Sequence, residues 1–316
     1  MKYYEREPIP IISTPTLKYY YLRDELLSPI GILLEYNNKS SYLKVREYVR
    51  ILNYIVKELE IFHEFRIIDY NLKKGEIFFE YVENITSVKE ELENYKNFEK
   101  KYNLVSKIIE KWWLIINLVD PEDYVLGNFE DIFFEDIFLS FVNIFLKKIL
   151  KIDVDSKIYI ESEDIFINHF KEITKIKTRF NLGGLTFNNV VKANNNIVII
   201  NFNKAAKLPF IYDLAVFISQ VSIQIDPIFE LIFIRDIYRL SQKEGLIKND
   251  LTLDEFTTIY KILELHYLLH SLIVNYNDNI HQFKYNLKII YEHTKNYPEI
   301  LPLWNFINRI SNYSLL

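Results

Sequence analysis

The stretch LGGLTFNNVV, residues 182–191, holds two of the six glycines in this 316-residue chain. Gly183 and Gly184 are adjacent. Adjacent glycines are typical of positions where the backbone takes unusual dihedral angles or approaches a neighbouring segment closely. Taken alone, such a pair is more often part of an ordinary loop, so its meaning depends on the sequence that follows.

Two further segments come soon after this stretch. Residues 199–203 read IINFN and residues 212–215 read YDLA. Between the first two segments, Asn194-Asn195-Asn196 predicts a turn that joins two short strands. The expected order is therefore a loop, a hairpin, a polar segment and then the start of a helix.

In order and spacing, these segments resemble the catalytic loop, the metal motif and the next helix of aminoglycoside phosphotransferases, choline kinases and maltokinases. That family's loop reads His-Gly-Asp-Leu-x-x-x-Asn-Val-Leu, and its metal motif reads Ile-Ile-Asp-Phe/Trp-Glu. The resemblance places the family's histidine at Leu182, its catalytic aspartate at Gly184 and its loop asparagine at Asn189. The metal-binding aspartate falls on Asn201, while Asp213 is kept and has a structural role in the family.

Both central carboxylates are therefore replaced at the matched positions. Phosphoryl transfer needs Mg²⁺ held against the phosphates and a carboxylate that orients the attacking hydroxyl. Gly184 has no side chain, and the neutral amide of Asn201 is a poorer Mg²⁺ ligand than a carboxylate. The acid that follows the family's metal ligand is also lost, as Asn203. We expect no catalytic residue and no metal site.

The first third of the chain is predicted to contain strands around one helix. Apolar patterns predict strands, a helix and strands in this order: 30–36, 41–45, 46–62 (the helix), 66–70 and 76–82. This order resembles a kinase small lobe, which implies that Lys44 contacts ATP. Its partner on the helix would be Glu58 or Glu47, and Glu58 is preferred.

The remainder of the chain is predicted to be mainly helical. Thr252 and Glu255 form the pattern of a capping box at a helix start. His266 and His270 share a helix face, but no third ligand is evident, so a structural role is expected. The aromatic run Tyr19-Tyr20-Tyr21 would suit stacking on a ligand, although core packing is the commoner use of such side chains.

Composition limits the partners. The formal net charge is −5 and cysteine is absent, which disfavours nucleic-acid binding and excludes disulfides and cysteine-based zinc sites. No apolar run reaches the roughly 18 residues of a membrane span, and residues 1–10 lack the apolar core of a signal peptide. We expect a cytoplasmic protein with neither nucleic-acid nor membrane partners.

Together these features predict an α+β, two-lobed protein kinase-like fold. A small mixed β/α N-lobe is expected over residues 1–84, and a larger, mainly helical C-lobe over 85–316, with degenerate catalytic and metal loops at 181–203. The predicted function is that of a pseudokinase that binds a nucleotide or small molecule in the cleft between the lobes, or a protein partner. ATP is the expected cofactor, with weak or no Mg²⁺ dependence. The expected cofactor-binding residues are Lys44, Glu58, Asn189 and Asn201.

Two other interpretations stay open. In the first, the chain is an atypical ATP-dependent phosphotransferase in which Asp164, or a carboxylate between Glu130 and Asp136, replaces the lost aspartates. Because IINFN is nearest to the maltokinase form, a sugar would be its substrate. In the second, the chain is a non-catalytic structural or assembly protein with no ligand.

Overall fold

The structure is a computed structural model that describes residues 5–13, 17–36, 42–54, 65–120, 122 and 127–311. It contains two compact units. The first consists of Met1–Leu126, Arg179–Ala206 and Ile223–Ile225, and the second of Gly127–Thr178, Lys207–Ser222 and Asp226–Leu316. The predicted division into residues 1–84 and 85–316 concerns kinase lobes and stays a prediction.

The described elements confirm a mixed α+β fold with a strand-rich N-terminal region and a larger helical remainder. The strands are β1 (Glu5–Pro8), β2 (Leu17–Arg23), β3 (Pro29–Tyr36), β4 (Ile67–Asn71), β5 (Glu76–Phe79), β6 (Thr86–Ser87), β7 (Gly127–Asn128), β8 (Thr178–Asn181), β9 (Val190–Ala193), β10 (Asn196–Ile199) and β11 (Ala206–Pro209). The helices are α1 (Tyr42–Asn53), α2 (Val88–Asn94), α3 (Phe98–Leu118), α4 (Phe129–Asp131, continued by π-helical segments Ile132–Phe138 and Phe141–Ile149), α5 (Ser156–Ile173), α6 (Tyr212–Gln224), α7 (Ile228–Lys243), α8 (Leu253–Val274), α9 (Ile280–Thr294) and α10 (Leu301–Ile310).

The first unit contains an antiparallel sheet of five strands in the order β1-β2-β3-β5-β4. The central strands β3 and β5 are buried at consecutive positions, including Gly31–Leu34 and Glu76–Phe79. Such continuous burial is expected where both faces of a strand are covered. Helix α1 covers one face, because the ring of Tyr48 lies 6.5 Å from that of Phe79.

Helix α1 corrects the predicted strand over 41–45. Its buried positions Val45, Tyr48, Val49 and Leu52 recur at spacings of three and four residues, as an amphipathic helix requires. The apolar run at its start was too short to distinguish a strand from a helix. Lys44 therefore lies in the first turn of α1, and the strand that precedes this helix, β3, contains no lysine.

A hairpin of β9 and β10 forms the second sheet of the first unit, with β6 paired to β9. Asn194 and Asn195 connect its strands with φ angles of 48° and 68°. Two-residue hairpin turns favour positive φ at both positions, which asparagine tolerates well. The predicted asparagine turn is confirmed.

The second unit is built from α5 and α7–α10 around the α4 region. The capping box predicted for α8 is confirmed, since Thr252 Oγ1 accepts from the Glu255 amide at 3.2 Å and Glu255 Oε2 accepts from the Thr252 amide at 2.8 Å. Within the part of the chain that the structure describes, no helix combines the length and the apolar character needed to cross a membrane.

Two histidines are buried in the core of the second unit. His169 Nε2 lies 2.9 Å from the Glu299 carbonyl oxygen, which can only accept, so this nitrogen carries a hydrogen. In a neutral ring, Nδ1 of His169 then accepts from Nε2 of His266 at 2.8 Å. The rings of Phe133 and Phe166 each lie 4.8 Å from that of His266. The structural role expected for His266 agrees with this packing.

We expect this pair to make the protein sensitive to acid. Burial lowers the pKa of His169 from 6.5 to about 4, and burial followed by the nearby His169 lowers the pKa of His266. The stability that depends on these neutral rings is therefore fully present above pH 6.5 and falls as the pH drops toward 4, because the unfolded chain binds protons that the folded chain resists. His169 alone should contribute a loss of about 3 kcal/mol over this range.

Urea unfolding at pH 7, 5.5 and 4.5 measures this loss. A His169→Asn/His266→Gln variant removes both titrating rings and should show a flatter pH profile than the parent protein. His281→Gln, at an exposed position, is the matched control. A profile equally steep in all three proteins would contradict the assignment.

Candidate functional site

The loop that contains the glycine pair has a backbone suited to glycine alone. Gly183 has a φ of 79° and Gly184 a φ of 114°, in a region that L-amino acids rarely adopt. A Cβ atom on Gly183 would also lie 2.0 Å from the Lys204 carbonyl oxygen. The pair is therefore required by both dihedral angles and close packing against the segment after β10.

The sequence resemblance places the family's catalytic aspartate at Gly184, so the conformation of this residue matters to that prediction. A non-glycine residue held at such a φ carries a strain of about 1–3 kcal/mol. Gly184 is also buried. The backbone at this position thus disfavours an aspartate.

Asn201 occupies the matched metal position with a left-handed backbone, at φ 69° and ψ 57°. Asparagine is among the residues most tolerant of this conformation. Both ends of its side-chain amide are bound: Nδ2 donates to the Asn188 carbonyl oxygen at 3.1 Å, and Oδ1 accepts from the Tyr19 hydroxyl at 2.6 Å. Asn201 is 2% exposed.

Asn189 joins the two matched motifs. Its Oδ1 accepts from the Thr186 amide at 3.2 Å, which closes the turn before β9. Its carbonyl oxygen accepts from the Ile200 amide at 2.8 Å. The structure therefore brings Asn189 and Asn201 together, and Asn189 Nδ2 lies 3.5 Å from the Asn201 carbonyl oxygen. Each side chain is already bound within the protein.

Aromatic side chains from the sheet and from α1 enclose Asn201. Tyr19 on β2 and Tyr48 on α1 are both 0% exposed. The ring of Tyr48 lies 5.5 Å from that of Phe202, and the ring of Tyr19 lies 6.4 Å from that of Phe65. The hydroxyl of Tyr48 interacts with Tyr19 and with the backbone of Asn201, whereas the hydroxyl of Tyr36 is buried and, within the described part of the chain, has no hydrogen-bond partner.

These hydroxyls are neutral near pH 7. Burial raises the pKa of Tyr48 to about 12. Burial, with the nearby Tyr48 as a second cause, raises the pKa of Tyr19 well above 10, and burial does the same for Tyr36. Tyr19 and Tyr48 therefore offer Asn201 hydrogen-bonding groups without negative charge.

Three more residues were predicted as candidates for the nucleotide site: Lys44, Glu58 and Glu47. Glu58 lies outside the described residues, as does the side chain of Lys44. Glu47, the second candidate on α1, is 7% exposed, and its carboxylate binds Arg46 at 3.0 Å and Arg50 at 3.1 Å. The cofactor-binding roles of Lys44, Glu58, Asn189 and Asn201 remain predictions.

Another polar cluster lies in the second unit. Among the described residues, Glu230, Glu264 and His293 are the one group of histidine and carboxylate side chains close enough to hold a metal ion. Lys261 donates to both glutamates, at 2.8 Å to Glu264 Oε2. A lysine ammonium therefore already supplies the positive charge between these carboxylates.

Comparison with known proteins establishes the fold. A scan against protein-family models and a search of curated proteins found no match. Among solved structures, the chain is similar to a mutant aminoglycoside 2'-phosphotransferase IIIa in complex with GDP, with a TM-score of 0.62 and 9% identity over 94% of this chain and 93% of that one. It is also similar to the streptomycin–ATP ternary complex of an aminoglycoside phosphotransferase, APH(2'')-IIa, with a TM-score of 0.58 and 10% identity over 94% and 93%.

A third similar structure is a choline/ethanolamine kinase family protein from Mesorhizobium loti, with a TM-score of 0.56 and 8% identity over 96% of this chain and 92% of that one. At these identities the similarity shows the fold. The chain has the protein kinase-like fold of aminoglycoside phosphotransferases and choline kinases, as the sequence predicted.

Proposed function

We propose that this chain is a pseudokinase: a protein of kinase-like fold that binds a ligand without transferring a phosphoryl group. The observation that carries the proposal is the backbone at Gly184, whose φ of 114° disfavours an aspartate at the matched catalytic position. Asn201 supports it independently, because its amide is buried and bound on both sides. Positioned carboxylates and metal ions are the main requirements of phosphoryl transfer.

A nucleotide is the ligand that we propose for this fold. Similar structures contain GDP, AMP and ATP, and a fold can keep a binding site after its catalytic groups are lost. Fold alone does not establish a ligand, so the proposal depends on a direct binding measurement. Since the matched metal position carries no carboxylate, we propose that binding has weak or no dependence on Mg²⁺.

Thermal unfolding with ATP, in the presence of Mg²⁺ or EDTA, tests this function. A ligand that binds only the folded state at a concentration 100 times its Kd stabilises that state by about 2.7 kcal/mol. We expect the same rise in Tm under both conditions, with ATP turnover at the background level. Lys44→Ala should reduce the rise if Lys44 contacts the nucleotide, and Lys73→Ala, in the exposed turn before β5, should leave it unchanged.

Two results would contradict the proposal. A rise in Tm that requires Mg²⁺, together with ATP turnover that is lost in Lys44→Ala, would identify an active phosphotransferase. The absence of any shift at millimolar nucleotide, together with stable oligomers, would indicate a structural or assembly protein.

A further inference from the structure

The kinase-like fold implies Mg²⁺ at the position matched by Asn201, and the residues present do not fit it. Mg²⁺ requires about six oxygen ligands at 2.0–2.1 Å, usually carboxylates, phosphates and several waters. The oxygen that Asn201 would offer accepts a hydrogen from the Tyr19 hydroxyl at 2.6 Å. At 2% exposure, Asn201 also has little access to the waters that would complete the shell.

The surrounding charge disagrees with a metal as well. Tyr19 from β2 and Tyr48 from α1 both interact with Asn201, and the hydroxyls of both are neutral. Moving an ion from water into a buried place is very unfavourable without opposite charges to pair with it. Neither tyrosine offers a divalent cation the negative charge that would offset this cost.

We propose that Tyr19 takes the place of the metal ion. Its hydroxyl satisfies the side-chain oxygen of Asn201 and ties strand β2 to the segment after β10, 182 residues further along the chain. The region then keeps its geometry without a divalent cation, and the buried tyrosine ring closes the position to one. This inference rests on the proposed function, because both treat residues 199–203 as the counterpart of the metal motif.

Tyr19 and the missing carboxylate are then two separate obstacles to metal binding, and variants can remove them one at a time. Restoring the carboxylate alone, by Asn201→Asp, leaves the Tyr19 ring and hydroxyl in place. Restoring it while removing the ring, by Asn201→Asp with Tyr19→Ala, provides both a charge and a space. Tyr21 lies on the same strand, and its ring is 5.7 Å from that of Tyr81, so Asn201→Asp with Tyr21→Ala is the matched control.

Electron paramagnetic resonance of added Mn²⁺ measures binding directly, because bound ions lose the free-ion signal. We expect Mn²⁺ binding in the Tyr19→Ala double variant. We expect none in the parent protein, in Asn201→Asp or in the Tyr21→Ala double variant. Binding by the parent protein or by Asn201→Asp would overturn the proposal, as would absence of binding in the Tyr19→Ala double variant if it shows a cooperative thermal transition.

A milder pair of variants decides the question if that double variant does not fold. Tyr19→Phe keeps the ring and leaves the Asn201 oxygen without its donor, so its Tm should fall by about 2–6 °C. Tyr21→Phe should change it by less than about 1 °C, because Tyr21 is only partly buried. Equal Tm values for the two variants would contradict a bond that holds β2 to Asn201.

The two proposals fail separately. Mg²⁺-dependent ATP turnover by the parent protein would refute the pseudokinase, whatever the Mn²⁺ result. Mn²⁺ binding by the parent protein without turnover would refute only the role of Tyr19.

Discussion

Replacing Gly183 with alanine is expected to lower the free energy of unfolding by about 3–4 kcal/mol, which combines left-handed strain with overpacking. The φ of 79° at this position disfavours any residue with a Cβ atom. The new atom would also lie 2.0 Å from the Lys204 carbonyl oxygen. Because this neighbour belongs to the backbone, it cannot rotate away, and the loop or the segment 202–204 must move.

Gly245→Ala separates these two effects. Gly245 has a similar φ of 63°, but a Cβ atom there would have no neighbour within 4 Å. It should therefore cost only the strain of the left-handed conformation, about 1–2 kcal/mol. Urea unfolding of both variants gives the difference. Equal losses would mean that the loop does not lie against Lys204 as the structure shows.

The Gly183→Ala variant also tests whether the glycine loop affects ligand binding. Gly183 precedes the matched catalytic position, and its loop is joined through Asn189 to Ile200. A displaced loop should therefore weaken the nucleotide-induced rise in Tm in Gly183→Ala, while Gly245→Ala should keep it. This comparison would connect the glycine pair to the site as well as to stability.

Local sequence patterns predicted the local features of the first unit. The glycine pair indicated an unusual backbone, and the structure gives φ values of 79° and 114° there. The three asparagines indicated a turn that the structure confirms. In both cases the signal is steric and is contained in a few adjacent residues, which is why the sequence was sufficient.

Tyr19 shows what local patterns miss. Strand β2 was not predicted, although Leu17, Tyr19 and Leu22 are all buried. Three consecutive tyrosines obscure the alternation that identifies a half-buried strand. The bond from Tyr19 to Asn201 joins residues 182 positions apart, and no sequence spacing could reveal it. A different limit explains Lys44: the apolar run around it was too short to assign by itself, and the helical spacing shows only when the run is followed on to Leu52.

Lys261→Met is the second large effect that we expect, with a loss of about 3–5 kcal/mol in the free energy of unfolding. Lys261 is 2% exposed, and it binds Glu230 from α7 and Glu264 from its own helix α8. Burial alone would lower the pKa of Lys261, but the two carboxylates raise it, so the ammonium is retained. Methionine keeps the length and apolar stem of lysine but leaves two buried carboxylates without their cation.

His293 on α9 makes this loss depend on pH. Its Nε2 lies 2.9 Å from Glu264 Oε1, and these carboxylates raise the pKa of His293 from 6.5 to about 9 against the opposing effect of burial. The stability that protonated His293 adds to the folded protein is fully present below pH 6.5 and is lost as the pH rises through 9. In Lys261→Met the protonated histidine is the remaining cation of the cluster, so the variant should lose stability more steeply than the parent protein between these pH values.

Urea unfolding at pH 6 and pH 9.5 measures both effects. Lys175→Met is the matched control, because its pair with Glu172 is exposed and a surface pair contributes about 0–1 kcal/mol. Adding Glu230→Gln and Glu264→Gln to Lys261→Met should recover part of the loss, since neutral amides need no cation. If the triple variant recovers stability and its stability changes less with pH than that of the parent protein, the loss in Lys261→Met comes from the uncompensated charges. If the triple variant recovers nothing and keeps the pH profile of the parent protein, the loss comes from altered packing of α7, α8 and α9.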